Sequence, residues 1–174
     1  YSYRDGRTQK AAEAVHRHVS FEQLYKTTGI QYQPFNTIYQ LFADKRGCKL
    51  ERASYFLMLP DYLNYRLTGV KKQEYTNATS TGMVNALSHD WDGDIIDSLG
   101  YDRKLFGELS QSGTVVGQLK KEVADHVGYN AAVVLPATHD TASAVLAAPI
   151  EFGQAYISSG TWSLLGAEQP FAHT

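Results

Sequence analysis

Apolar residues recur at helical spacing through the first part of the chain. Ala11, Val15 and Val19 lie four apart, which predicts a helix opening at Thr8 with these three on one face. Ser20-Phe21-Glu22-Gln23 follows as a capping-box pattern, so a second short helix is expected until Gly29 stops it. Asn36 is placed to cap a third helix through Ile38, Leu41 and Phe42. After Leu57-Met58-Leu59-Pro60-Asp61 comes an amphipathic stretch, Tyr62 to Leu67, closed by Thr68-Gly69. Pro60 suits a first helical position, where its missing N–H needs no partner. A further helix is expected from Asp92 to Leu99, ended by Gly100.

The last third changes character. Val115-Val116 and Ala131 to Leu135 read as short buried strands, and a helix rich in Ala and Val follows from Thr141 to Ala148. Ala155-Tyr156-Ile157 and Trp162-Ser163-Leu164-Leu165 read as two strands around a tight turn. The order is helices, then a βα unit, then a hairpin, which makes the fold class α/β. No internal repeat and no low-complexity linker interrupts it.

The bulk numbers narrow the function classes. A chain of 174 residues holds one domain or part of one. Its 16 basic and 18 acidic residues nearly balance, whereas a dedicated nucleic-acid binder normally shows a basic face. No run approaches the length of apolar sequence that a membrane helix needs. Cys48 is the single cysteine, which excludes an intrachain disulfide and fits a reducing, cytoplasmic compartment. The chain starts at Tyr1 without an initiator Met and without an apolar signal segment, so it reads as an internal piece of something longer.

Three tempting motifs carry little. Asp90-Trp91-Asp92-Gly93-Asp94 has the look of a calcium loop, but the twelfth position, where an EF-hand needs a bidentate Glu, is Tyr101. A turn plus a helix cap accounts for it. Asn77-Ala78-Thr79 matches a glycosylation sequon without a secretory context. His16 and His18 lie two apart and would face different sides of a helix. No metal-binding set, Walker loop, GxGxxG or HExxH is present.

Two places hold candidate chemistry. In the first, the apolar run Ala131 to Leu135 passes through Pro136-Ala137-Thr138-His139-Asp140 into a small-residue helix. Ligands in α/β layers bind at the C-terminal ends of strands. A carboxylate at that junction is suited to accept a proton from a substrate hydroxyl during phosphoryl transfer. Asp140 equally suits a plain helix cap; local sequence leaves both roles open. The second place is Ser158-Ser159-Gly160-Thr161. It is either a turn offering N–H groups and hydroxyls to a phosphate or a plain hairpin turn.

The segment Ala137-Thr138-His139-Asp140-Thr141-Ala142-Ser143-Ala144-Val145, followed by Tyr156-Ile157-Ser158-Ser159-Gly160-Thr161-Trp162-Ser163-Leu164, resembles the FGGY carbohydrate kinases. Tyr3-Arg4-Asp5, Thr28-Gly29-Ile30-Gln31, Pro34-Phe35-Asn36-Thr37, Leu59-Pro60-Asp61-Tyr62, Tyr65-Arg66-Leu67-Thr68-Gly69 and Glu74-Tyr75-Thr76-Asn77-Ala78-Thr79 match in order. Within the family the resemblance is strongest to the kinases acting on L-rhamnulose. Other sugars of the family (fuculose, xylulose, ribulose) and a non-catalytic actin-fold module remain alternatives.

The resemblance implies part of an actin-like, ribonuclease-H-like ATPase fold with the active site in a cleft between two domains. Residues 1–150 would be the C-terminal portion of the first, sugar-binding domain, and residues 151–174 the start of the nucleotide-binding one. It implies Asp140 as the catalytic base, with His139 and Thr141 beside it at the sugar. Gly160 and Thr161 fall at the loop that meets ATP phosphates, and Tyr3 and Phe35 where relatives place aromatics facing the substrate. The implied cofactors are ATP and Mg2+, and the implied partner is a small ketose. The family's first phosphate loop would precede Tyr1 and its adenine-binding part would follow Thr174. The 174 residues alone are therefore expected to be inactive and to expose apolar surface. Many relatives carry Lys-Leu-x-Trp where this chain has Gln40-Leu41-Phe42.

Overall fold

The helices start and stop where the chain supplies local signals for it. The computed structural model describes residues 6–151 and 153–170. A 3-10 turn at Gly6–Thr8 leads into α1 (Gln9–His18). Ser20 then opens α2 (Phe21–Thr28), its hydroxyl accepting the Gln23 N–H at 3.2 Å. Gly29 ends α2 at φ 68, a left-handed conformation that glycine adopts without a Cβ clash. Asn36 does precede α3 (Thr37–Arg46), but its side chain caps nothing. It accepts the Gln33 N–H at 2.8 Å and donates to the Ser80 carbonyl at 3.0 Å, so it joins two loops instead.

α1 packs on α3, and α6 (Gly93–Ser98) completes the helical core. Val15, Ile38, Met83 and Leu99 are almost wholly buried there. Each such side chain contributes roughly 1.5–3 kcal/mol of transfer free energy. The Tyr101 hydroxyl, buried in the same cluster, donates to the Ile38 carbonyl at 2.7 Å. Asp92 caps α6 by accepting the Ile95 N–H at 2.9 Å, and its other oxygen takes the Asn85 amide at 3.0 Å. The acidic run 90–94 thus works as a turn and cap.

α4 (Leu59–Thr68) has Pro60 as its second residue and ends on Gly69. Behind it lies a parallel pair, β1 (Gln73–Glu74) and β2 (Leu109–Ser110), and β1 runs straight into α5 (Tyr75–Thr79). Gln73 is fully buried and stitches two loops, donating to the Phe56 carbonyl at 2.8 Å and accepting the Gly107 N–H at 2.6 Å.

β3 (Val115–Gln118) pairs antiparallel with β4 (Ala132–Val134) across the intervening α7 (Lys121–Val127). The expectation of buried strands is half right. Val116 and Leu135 are buried, whereas Val115 and Val134 are 59% and 46% exposed. α4 lies against the pair and covers one face only. The chain closes with α8 (Asp140–Ala147) and the hairpin β5 (Ala155–Ser159) and β6 (Ser163–Ala167). None of the α8 residues is buried, and Leu146, Ile157 and Leu165 are 83%, 72% and 75% exposed. The expected apolar surface is present. The whole is a mixed α/β fold.

Candidate functional site

The junction between β4 and α8 is held from both ends. On the strand side, Leu135 is buried; its N–H donates to the Thr114 carbonyl at 2.9 Å and its carbonyl accepts from Gly113 at 2.7 Å. On the helix side, the Ser143 hydroxyl reaches back to the Ala137 carbonyl at 2.6 Å. Between them run Thr138, His139 and Asp140.

The capping question is answered by His139. Its ring Nδ1 accepts the Ala142 N–H at 3.2 Å, so the N-cap of α8 is the histidine and Asp140 is the first helical residue. Asp140 is exposed, and its Oδ1 accepts only the Thr141 N–H, at 2.7 Å, with the Thr141 hydroxyl at 3.4 Å. Oδ2 makes no hydrogen bond among the described residues. The carboxylate is left accessible at the head of α8. It can accept a proton from a bound hydroxyl without first breaking a structural cap.

Beneath this junction lies a carboxylate that the reading of the sequence did not single out. Glu74 has no exposed surface. Its Oε1 accepts the Thr76 N–H at 2.8 Å and the Ser112 hydroxyl at 2.9 Å. Its Oε2 accepts the Thr76 hydroxyl at 2.6 Å, the Asn77 N–H at 3.0 Å, and from Thr138 both the hydroxyl at 2.8 Å and the N–H at 3.2 Å. Thr76 in turn accepts the His139 N–H at 3.3 Å. Burial pushes the Glu74 carboxyl up, but the bonds from Thr76, Asn77 and Thr138 outweigh it and hold the group below its ordinary value. The signal that could have marked it is an acidic residue just ahead of Tyr75-Thr76-Asn77. Glutamate, however, is not among the favoured cap types.

Asp61 stands next to Glu74. It is 1% exposed, accepts the Glu74 N–H on Oδ1 at 3.2 Å, and its Oδ2 has no partner among the described residues. Burial first, and the neighbouring Glu74 charge after it, push its carboxyl up to about 6.

The second candidate place is the turn between β5 and β6. Gly160 and Thr161 are both exposed. The Gly160 N–H donates to the Trp162 carbonyl at 2.8 Å, so that donor is used inside the turn. The Thr161 hydroxyl makes no hydrogen bond among the described residues, which suits it to an external acceptor. Phe35 reaches this turn: its ring lies 6.3 Å from the Trp162 ring, tilted by 53°. The structure therefore groups Phe35 with Gly160-Thr161, and His139 with Asp140 and Thr141. α8 packs on β5, which places the two groups on adjoining elements. No hydrogen bond joins one group to the other among the described residues. Tyr3 lies outside the described residues. Among those, no three His, Cys, Asp or Glu side chains converge on one point, and no helix is long and apolar enough to cross a membrane.

Comparison with known proteins gives this geometry a context. Residues 1–147 match the FGGY family of carbohydrate kinases, N-terminal domain. The chain is 50% identical over 172 residues to the rhamnulokinase of Oceanobacillus iheyensis, covering 98% of this chain and 37% of that protein. It is 47% identical over 169 residues to the rhamnulokinase of Enterococcus faecalis, covering 96% and 34%. The chain thus spans about a third of the length of these curated relatives. Among solved structures, the xylulose kinase from Rhodospirillum rubrum superposes with a TM-score of 0.76 at 20% identity, covering 88% of this chain and 32% of that one. A Plasmodium falciparum glycerol kinase with ADP gives a TM-score of 0.67 at 16% identity, over 90% and 33%.

Proposed function

Because this chain belongs to the FGGY family of carbohydrate kinases, we propose that the full-length protein phosphorylates a ketose at the expense of ATP, with L-rhamnulose as the sugar and L-rhamnulose 1-phosphate as the product. The observation that carries the reading is the freely presented Asp140 carboxylate at the head of α8, with His139 holding the cap in its place. The two relatives described above are rhamnulokinases, and the high identity across nearly all of this chain supports the choice of sugar.

In this mechanism Asp140 takes the proton from the attacking hydroxyl as that oxygen bonds to the terminal phosphorus of ATP and the bond from that phosphorus to the ADP oxygen breaks, ADP departing with the electron pair. His139 and Thr141 flank the sugar, and Phe35, with Tyr3, bounds it with aromatic surface. Mg-ATP supplies the phosphoryl group and, through the ion, neutralises charge on the phosphates. The exposed turn fits that role in one respect, since the Thr161 hydroxyl is unengaged, while Gly160 contributes its lack of a side chain and not its N–H. Phosphoryl transfer leaves little covalent work to the protein, so the residues act by positioning and by electrostatics. Residues 1–150 then belong to the sugar-binding domain and residues 151–174 to the start of the nucleotide-binding one. The single cysteine, exposed Cys48, accords with work in the cytoplasm, where ATP is available.

The test is ADP release by the full-length protein with L-rhamnulose, L-fuculose, D-xylulose and glycerol. Turnover selective for L-rhamnulose supports both mechanism and substrate. Preference for another of these sugars keeps the chemistry and replaces the substrate. No turnover with any of them favours a non-catalytic module.

A further inference from the structure

We propose that Glu74 is the positioning residue for the Asp140 base, acting through Thr138 and His139. The proposal rests on the reading of Asp140 as the base. Glu74 and Asp140 are far apart in sequence, and a chain of hydrogen bonds connects them.

Every partner of the Glu74 carboxylate is a donor. Three of these donors are backbone N–H groups, those of Thr76, Asn77 and Thr138. The other three are the hydroxyls of Thr76, Ser112 and Thr138. Two bonds fasten Thr138 directly, and a third, His139 N–H to the Thr76 hydroxyl, fastens the next residue through a group that Glu74 itself orients. The peptide leading into Asp140 is thereby fixed on one side by a buried anion. On the other side the Ser143 hydroxyl and the His139 cap fix the first turn of α8. Asp140 has no strong tether of its own beyond the Thr141 N–H, so its placement is inherited from these neighbours. Charge-assisted bonds to a buried carboxylate are about twice as strong as neutral ones.

The hydrogen-bond pattern makes a specific prediction about Glu74→Gln. Both carboxylate oxygens face at least one backbone N–H, Thr76 on Oε1 and Asn77 with Thr138 on Oε2. A hydroxyl can turn round to accept; a peptide N–H cannot. Whichever way the new amide lies, its NH2 meets a fixed donor. Thr138→Val is the milder companion, because it keeps the side-chain shape and deletes only the hydroxyl bond to Glu74. Thr138→Ser restores that hydroxyl.

The experiment uses the full-length protein and measures kcat and KM for sugar and for MgATP, together with amide hydrogen exchange over residues 137–142. The expected result is a kcat lowered about tenfold by Thr138→Val and up to about 100-fold by Glu74→Gln, the scale of a base displaced by about 1 Å. KM for MgATP should stay within about twofold, and Thr138→Ser should recover most of the loss. Exchange at 137–142 should rise in both damaging variants while amides of α1 and α3 keep their protection. The proposal is overturned if Glu74→Gln folds and leaves both kcat and exchange at 137–142 at wild-type levels. It is equally overturned if Thr138→Ser loses as much kcat as Thr138→Val. If the wild-type protein turns over no sugar, the reading of the base fails. Exchange at 137–142 then decides by itself whether Glu74 holds the junction.

Discussion

Replacing Asp61 by Asn should change how stability depends on pH, and the sign follows from the surroundings of the group. Asp61 is buried beside Glu74, and its carboxyl is pushed from 3.8 up to about 6. A folded-state value above the unfolded one means that the fold prefers the protonated acid. The stability contributed by this group is then fully present below about pH 4, is lost as pH rises to about 6, and is flat above that. A displacement of about two pH units corresponds to roughly 3 kcal/mol. Glu74 behaves oppositely. Its carboxyl lies below its ordinary 4.5, so its contribution is present above that value and is lost only as pH falls further. The window from about pH 4.5 to about 6.5 therefore belongs to Asp61. Asn keeps an acceptor for the Glu74 N–H and removes the charge. Its NH2 would take the place of Oδ2, which has no partner among the described residues. That buried, unpaired donor costs about 1–3 kcal/mol at every pH. The informative quantity is consequently a slope and not an offset. Urea unfolding of both proteins across this window should show the variant gaining on the wild type by roughly 2 kcal/mol as pH rises, the part of the total that falls above about pH 4.5. Histidine titration affects both alike and cancels. Parallel stability curves would refute the assignment of a raised Asp61 carboxyl.

Two further substitutions probe the scaffold. Leu135→Ala empties a site 1% exposed at the exit of β4 and should cost about 2–5 kcal/mol in chemical unfolding; a loss under about 1 kcal/mol would mean that the strand exit is not packed as described. Asp92→Ala removes the acceptor for Ile95 N–H and for the Asn85 amide and should lower stability by about 0.5–2 kcal/mol. The same change should be insensitive to added calcium, whereas a calcium-dependent difference would revive the metal-loop reading of residues 90–94.

The helical half of the fold was legible wherever a residue announces a boundary by its own chemistry. Ser20, Gly29, Gly69 and Asp92 act where they were expected to. Asn36 shows the limit: the residue type suits a cap, but its amide found better partners in Gln33 and Ser80, which no local pattern reveals. β1 and β2 are two residues each, too short to display alternation, and exist because Gln73 and Glu74 are fixed by distant loops. α5 escaped notice because a glutamate, not a favoured cap residue, begins it. α7 buries nothing, so its Val123 and Val127 carried little weight as a face.

The candidate site was readable at the level of which residues carry groups suited to the chemistry. How they are held was not. That His139 and not Asp140 caps α8 depends on a ring orientation, and the junction's dependence on Glu74 runs over a separation of 64 residues. The turn at Gly160-Thr161 was found by its glycine and hydroxyls, yet the internal bond from Gly160 to Trp162 removes a donor that composition alone had offered.

The central claim is that Asp140 removes the proton from the sugar hydroxyl. It is tested most directly by single-turnover phosphorylation in the full-length protein, wild type beside Asp140→Asn, with sugar and MgATP both saturating. The account predicts a phosphorylation rate lowered about 10²- to 10⁴-fold, with sugar affinity and folding preserved. A variant that transfers phosphate at close to the wild-type rate would contradict it.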